Sequence, residues 1–76
     1  MDEVMLSVLS KIYTAAKNTS DGYVMCTSID IRSDMRRKIC EWLENQGYIK
    51  KVELIGQDKI RCQITEKTKC YFANFL

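Results

Sequence analysis

Ser33, Asp34, Met35, Arg36, Arg37, Lys38, Ile39, Cys40, Glu41, Trp42, Leu43, Glu44, Asn45, Gln46, Gly47, Tyr48 and Ile49 form the stretch whose reading decides the fold. Ser33 is a good helix N-cap, because its hydroxyl can accept from an early N–H that has no partner inside the helix. Asp34 follows in the first turn, where a negative charge suits the helix dipole. Met35, Ile39, Trp42, Leu43 and Gln46 recur at three- and four-residue steps, the period of one helix face. Gly47 stands where a left-handed residue ends a helix, and Tyr48 and Ile49 read as extended chain. The spacing predicts a capped helix over 33–46, about four turns long, stopped by glycine and handed to a strand. Its front end carries Arg36, Arg37 and Lys38 in a row, preceded by Arg32. A helix that is basic in front and apolar behind suits DNA reading, and it also suits an ordinary solvated surface. The rest of the chain has to discriminate.

Downstream, the pattern changes period. Tyr48 to Ile55 reads as a strand, Gly56, Gln57 and Asp58 as a turn, and Lys59 to Thr65 as a second strand. In the second strand Ile60, Cys62 and Ile64 share one face, and Lys59, Arg61 and Gln63 share the other. The expectation is a two-stranded antiparallel hairpin whose outer face and tip carry Lys51, Lys59 and Arg61. Thr65 then caps a last short helix with Glu66 in its first turn. Cys70, Tyr71, Phe72, Phe75 and Leu76 make its end more apolar than one helix stripe needs. Part of that surplus is expected to face the first helix. The remainder reads as a subunit contact, which predicts a homodimer.

Upstream, Asp2 to Lys17 reads as a helix with Met5, Val8, Leu9, Ile12, Tyr13 and Ala16 on one stripe. The run from Asn18 to Gly22 is a turn cluster. Tyr23 to Cys26 is a short β-prone run. Thr27 to Arg32 reads as a short, irregular helical turn, although Ile29 and Ile31 alternate as in a strand. The expected core is Leu9, Ile12, Ile39, Leu43, Ile49, Ile60 and Ile64. Trp42 and Tyr48 sit beside the core edge, where packing is the commoner use of an aromatic ring than stacking on bases.

With 76 residues the chain makes one domain over 1–76 with a modest core. No apolar run reaches the roughly 18 residues of a membrane span. The start, Met1, Asp2, Glu3 and Val4, lacks the basic front of a signal peptide, so a cytoplasmic location is the expectation. The net charge of +2 hides a gradient. Lys11 and Lys17 face four acids in residues 1–31, whereas Arg32, Arg36, Arg37 and Lys38 face only Asp34 in residues 32–38. A second basic group follows at Lys50, Lys51, Lys59, Arg61, Lys67 and Lys69. Such asymmetry favours an anionic partner. The four cysteines, Cys26, Cys40, Cys62 and Cys70, form no C-x-x-C, and there is no histidine. A metal site and a secreted disulfide framework are therefore not expected, and the cysteines read mostly as small buried hydrophobes. No cofactor or small-molecule ligand is expected. An enzyme is not expected either, since no histidine, glycine-rich phosphate loop or base beside a nucleophile is present.

The order of elements, with two of its motifs, resembles a known family. Leu43, Glu44, Asn45, Gln46, Gly47, Tyr48 and Ile49 resemble the helix-to-strand signature of winged helix-turn-helix proteins, where a leucine precedes a glycine by four and an apolar strand begins. The run from Ile64 to Phe72 is similar to that family's closing pattern of an apolar residue, a threonine, three positions, then tyrosine and another apolar residue. The family usually has glycine where Thr68 stands, and its second helix is longer than Thr27 to Arg32 allows. The resemblance implies an α+β winged helix-turn-helix fold: a three-helix core, a two-stranded wing and a C-terminal helix. It also implies sequence-specific binding of double-stranded DNA by a small transcriptional regulator, with the helix from Ser33 in the major groove. The groove admits such a helix, and arginine can address guanine with two parallel hydrogen bonds. On a wheel centred on Met35, Ile39 and Leu43, Arg37 points away from the core and is the first choice for a base contact. Arg32, Ser33, Arg36 and Lys38 would support it, and Lys51, Lys59 and Arg61 would touch the backbone as wing contacts. Glu41 and Glu44 would confine the contact to the first two turns. The alternative is a winged-helix module that binds an acidic protein surface and no DNA.

Overall fold

The structure, a computed structural model, describes residues 2–26, 33–56 and 59–75. The helical turn expected over 27–32, with Arg32, lies outside the described residues, as do Gln57, Asp58 and Leu76 and the side chains of Ser33, Asp34 and Phe75. Among the described residues the fold is α+β, with three helices and a three-stranded antiparallel sheet.

Asp2 caps α1 (Glu3–Lys17): its carboxylate accepts the Met5 N–H at 2.9 Å. Val8, Leu9, Ile12 and Ala16 are its buried face. After β1 (Tyr23–Met25), α2 spans Ser33–Asn45. Gly47 ends it with φ +82°, a backbone that a side chain resists. The Gly47 N–H donates to the Glu44 carbonyl at 3.0 Å and the Tyr48 N–H to the Leu43 carbonyl at 2.9 Å. These two bonds close the helix end in the manner of a Schellman motif. Lys67 adds a third tie, donating to the Gln46 carbonyl at 2.6 Å where the helix dipole is negative.

β2 (Ile49–Ile55) and β3 (Lys59–Ile64) form the expected hairpin, but the sheet is larger than expected. Its strand order is β1-β3-β2. The short run from Tyr23 pairs with the free edge of β3: Tyr23 faces Gln63, Val24 faces Cys62 and Met25 faces Arg61. The two-stranded wing is thus corrected to a hairpin with a third strand on its inner half. An unpaired β3 edge would leave N–H and C=O groups unsatisfied, and Val24, 2% exposed, is buried by taking that edge. The Gln63 amide donates to the Asp21 carbonyl at 2.9 Å and fastens the strand's entry. In β2 the register shifts between Lys50 and Glu53, and Lys51 sits at φ +53°. That is a bulge in an edge strand, a common device against edge pairing.

Before α3 (Glu66–Phe75), Thr65 acts as the expected N-cap: its hydroxyl accepts from the Thr68 N–H at 3.4 Å. All seven expected core residues, Leu9, Ile12, Ile39, Leu43, Ile49, Ile60 and Ile64, are buried. Val8, Val24, Cys26, Cys40, Cys62, Thr68 and Phe72 join them. Met35, expected on the apolar stripe, is 40% exposed. Phe72, expected at a subunit contact, is 5% exposed and stacks on Tyr13 at 4.6 Å between ring centroids. Tyr71 meets Phe72 and Tyr48 edge-on, and Tyr48 stacks on Trp42, so five rings run from α1 to α2. Trp42 and Tyr48 are half-buried and pack as expected. No helix among the described residues is long and apolar enough to cross a membrane.

Candidate functional site

The buried positions of α2 are Ile39, Cys40 and Leu43, with Arg36 half-buried beside them. The core face is therefore centred between Ile39 and Cys40. It is turned from the expected centre on Met35, Ile39 and Leu43 because Cys40, not Met35, packs inward. At about 100° per residue this rotation makes Lys38 the residue opposite the core and places Arg37 on one flank. Both are exposed. Arg37 lies on the hairpin side, lining a groove with Glu41, Glu44, Val52 and Leu54. Arg37 as the most outward basic residue is thus corrected to Lys38. Arg36 is half-buried, and its charge slightly favours the Cys26 and Cys40 thiolates without reversing the upward shift of either thiol.

On the hairpin, Lys51 and Lys59 are exposed. Arg61 is engaged. Its Nη2 lies 2.6 Å from Glu53 Oε2, and its guanidinium lies 4.3 Å from the centroid of the Tyr23 ring. It therefore clasps all three strands across the outer face of the sheet, because Glu53 is on β2 and Tyr23 on β1. Charge counting could not reveal this, since Glu53 faces Arg61 only after the bulge has shifted the register.

Of the residues expected at a subunit contact, Cys70 is exposed and Tyr71 half-buried. The other three cysteines are free and buried, and they converge: Cys26 Sγ lies 3.8 Å from Cys40 Sγ and 4.0 Å from Cys62 Sγ. The hydrogen bond with Cys40 favours the Cys26 thiolate, but the hydrogen bond with Cys62 and burial outweigh it and push the Cys26 thiol up to about 12. The hydrogen bond with Cys26 and burial push the Cys40 thiol up as well. Such thiols are neutral packing groups at physiological pH. Among the described residues no group of three or more histidine, cysteine, aspartate or glutamate side chains is placed to hold a metal ion.

Two open grooves flank this framework. One, of about 670 Å³, gathers Lys17 from α1, Lys50 from β2 and Lys69 from α3, with Tyr13, Asp21 and Gln63. The sequence shows these lysines only as separate entries in a charge gradient. The other, of about 220 Å³, is the groove between α2 and the hairpin. In comparisons of the chain with protein-family models, curated proteins and solved structures, nothing matches.

Proposed function

We propose that this chain is a winged helix-turn-helix module that binds double-stranded DNA as a small transcriptional regulator. The observation that carries this reading is the exposure of Arg37 and Lys38 on the first two turns of α2, whose opposite face is buried. The hairpin that follows presents two further exposed cations, Lys51 and Lys59. The resemblance in sequence and the order of helix, glycine stop and hairpin support the same reading. In it, Arg37 and Lys38 reach base edges in the major groove, where each can address guanine. Lys51 and Lys59 hold phosphates and set the register without reading sequence. Half-buried Arg36 and Arg61, clasped to Glu53, drop out of the contact set. The module acts as a homodimer through the exposed side of α3 around Cys70 and Tyr71.

The second reading is a winged-helix module that docks an acidic protein surface. It is favoured by the pairing of Arg61 with Glu53, which leaves the hairpin less basic than its sequence suggests. One titration separates the two: binding of duplex DNA from about 50 to 200 mM salt. Affinity falls with a log–log slope of about −0.9 per phosphate neutralised, so the two lysine contacts at Lys51 and Lys59 give about −1.8. Absence of duplex binding at about 50 mM salt, where phosphate attraction is strong, would transfer the reading to the protein-interaction alternative.

A further inference from the structure

The apolar residues of β2 are better covered at its start than toward the hairpin tip. Ile49 is 2% exposed, Val52 half-buried, and Leu54 and Ile55 are 54% and 39% exposed. Leu54 pairs with Ile60, which is 3% exposed, so the apolar inner face of the hairpin runs on past the cover that α2 provides. Ile55, opposite Lys59, faces the other side of the hairpin, so on the inner face exposed Leu54 adjoins half-buried Val52, an apolar pair that phosphate contact by a wing does not need. The surface is shaped. Cys40, Val52 and Ile60 floor the groove of about 220 Å³, and Leu54 forms one wall. An apolar cavity of about 150 Å³ already holds a benzene ring, so the space suits one bulky apolar side chain. The rim is charged and unbalanced: Glu41 and Glu44, one helical turn apart, stand against Arg37 alone. The ion pairs Arg61–Glu53 and Lys69–Glu66 engage other carboxylates.

We infer that this groove is a docking site for a partner protein segment that inserts a bulky apolar side chain and sets a lysine or arginine about one helical turn away against Glu41 and Glu44. The carboxylates choose the occupant. They repel nucleic-acid phosphate and acidic peptides, and they leave a cation as the complement. The apolar floor supplies the anchor pocket, the usual centre of binding energy in an interface.

The test is amide chemical-shift mapping with a helical peptide of about 15 residues carrying leucines at i and i+4 and lysine at i+3. The expected result is shifts at Glu41, Glu44, Val52, Leu54 and Ile60. Affinity should be about tenfold weaker, or 1.4 kcal/mol, for the same peptide with glutamate in place of lysine. Leu54→Ala and Glu41→Gln, both at exposed positions that the fold does not need, should each weaken binding to a similar degree. The inference is overturned if the two peptides bind equally, if shifts appear around Lys17, Lys50 and Lys69 instead, or if no shift appears. It is also overturned if the peptide-free protein shows concentration-dependent shifts at Leu54, because the occupant is then a second copy. Duplex DNA titrated into Leu54→Ala reads the adjoining surface, which shares Arg37 with the groove: unchanged duplex binding with lost peptide binding keeps this inference apart from the DNA reading.

Discussion

Thr68 Oγ1 donates a hydrogen bond to the Tyr48 carbonyl at 2.5 Å, and this bond joins α3 to the point where α2 hands over to β2. The Thr65 N–H donates to the same oxygen at 3.2 Å, and the Thr65 hydroxyl donates to the neighbouring Gly47 carbonyl at 2.6 Å. Thr68 is fully buried. A glycine at this position would supply no donor; here the threonine fills the space and uses its hydroxyl. Thr68→Val preserves shape and removes the donor. It should cost about 1 kcal/mol, the net worth of a typical hydrogen bond, because Thr65 still satisfies the carbonyl. Urea unfolding of the two proteins measures the difference, and an unchanged midpoint would show that the bond is idle.

Leu43 is fully buried on the α2 face that meets the sheet. Leu43→Ala should lose about 2–5 kcal/mol, a large fraction of the stability of so small a domain. Thermal melting followed by circular dichroism checks this. Met35→Ala, on the exposed flank of the same helix, should change stability by less than about 0.5 kcal/mol. Equal effects of the two substitutions would contradict the helix orientation.

The cysteines should divide by reactivity. Cys70 is exposed, and Cys26, Cys40 and Cys62 are buried. A water-soluble thiol reagent at neutral pH should label one cysteine in the native protein and four after denaturation. Rapid labelling of more than one would refute the burial of the cluster.

The same cluster carries a pH dependence. Burial and the Cys62 contact raise Cys26 from its ordinary value of 9.0 to about 12. The unfolded chain therefore loses this proton at lower pH than the native chain does. Stability from this group is whole below pH 9.0 and declines as pH rises toward about 12, at up to about 1.4 kcal/mol per pH unit. Cys26→Ala should show a shallower alkaline decline. An identical slope would mean that the thiol titrates alike in both states.

Duplex binding should sort the basic residues into three groups. Arg37→Ala and Lys38→Ala should each cost about 1–3 kcal/mol on a preferred sequence and relax preference at one position. Lys59→Ala should weaken all sequences alike and reduce the salt slope by about one unit. Arg61→Met should leave DNA affinity nearly unchanged and lower stability by less than about 1 kcal/mol, the range of a surface ion pair. An Arg61 effect as large as that of Lys59 would show that the Glu53 clasp opens on binding.

Periodicity, caps and turn residues were enough to locate the helix starting at Ser33, its stop at Gly47, the hairpin, the Thr65 cap and the seven-residue core. These features arise from backbone geometry over a few neighbours, and their signals lie in adjacent residues. The third strand was not legible. A three-residue run becomes a strand only because β3, nearly forty residues later, offers an edge, and nothing near Tyr23 encodes that offer. The rotation of α2 is of the same kind. Met35 and Cys40 both satisfy an apolar pattern, and the choice between them falls to Cys26, which packs against Cys40 from outside the helix. Arg61 looked like a free cation because charge counting cannot see a bulge that brings Glu53 alongside it. Phe72 looked like surplus surface until Tyr13 supplied a stacking partner. Short-range propensity set which elements form; long-range pairing decided which of their faces, and which of their charges, remain for a partner.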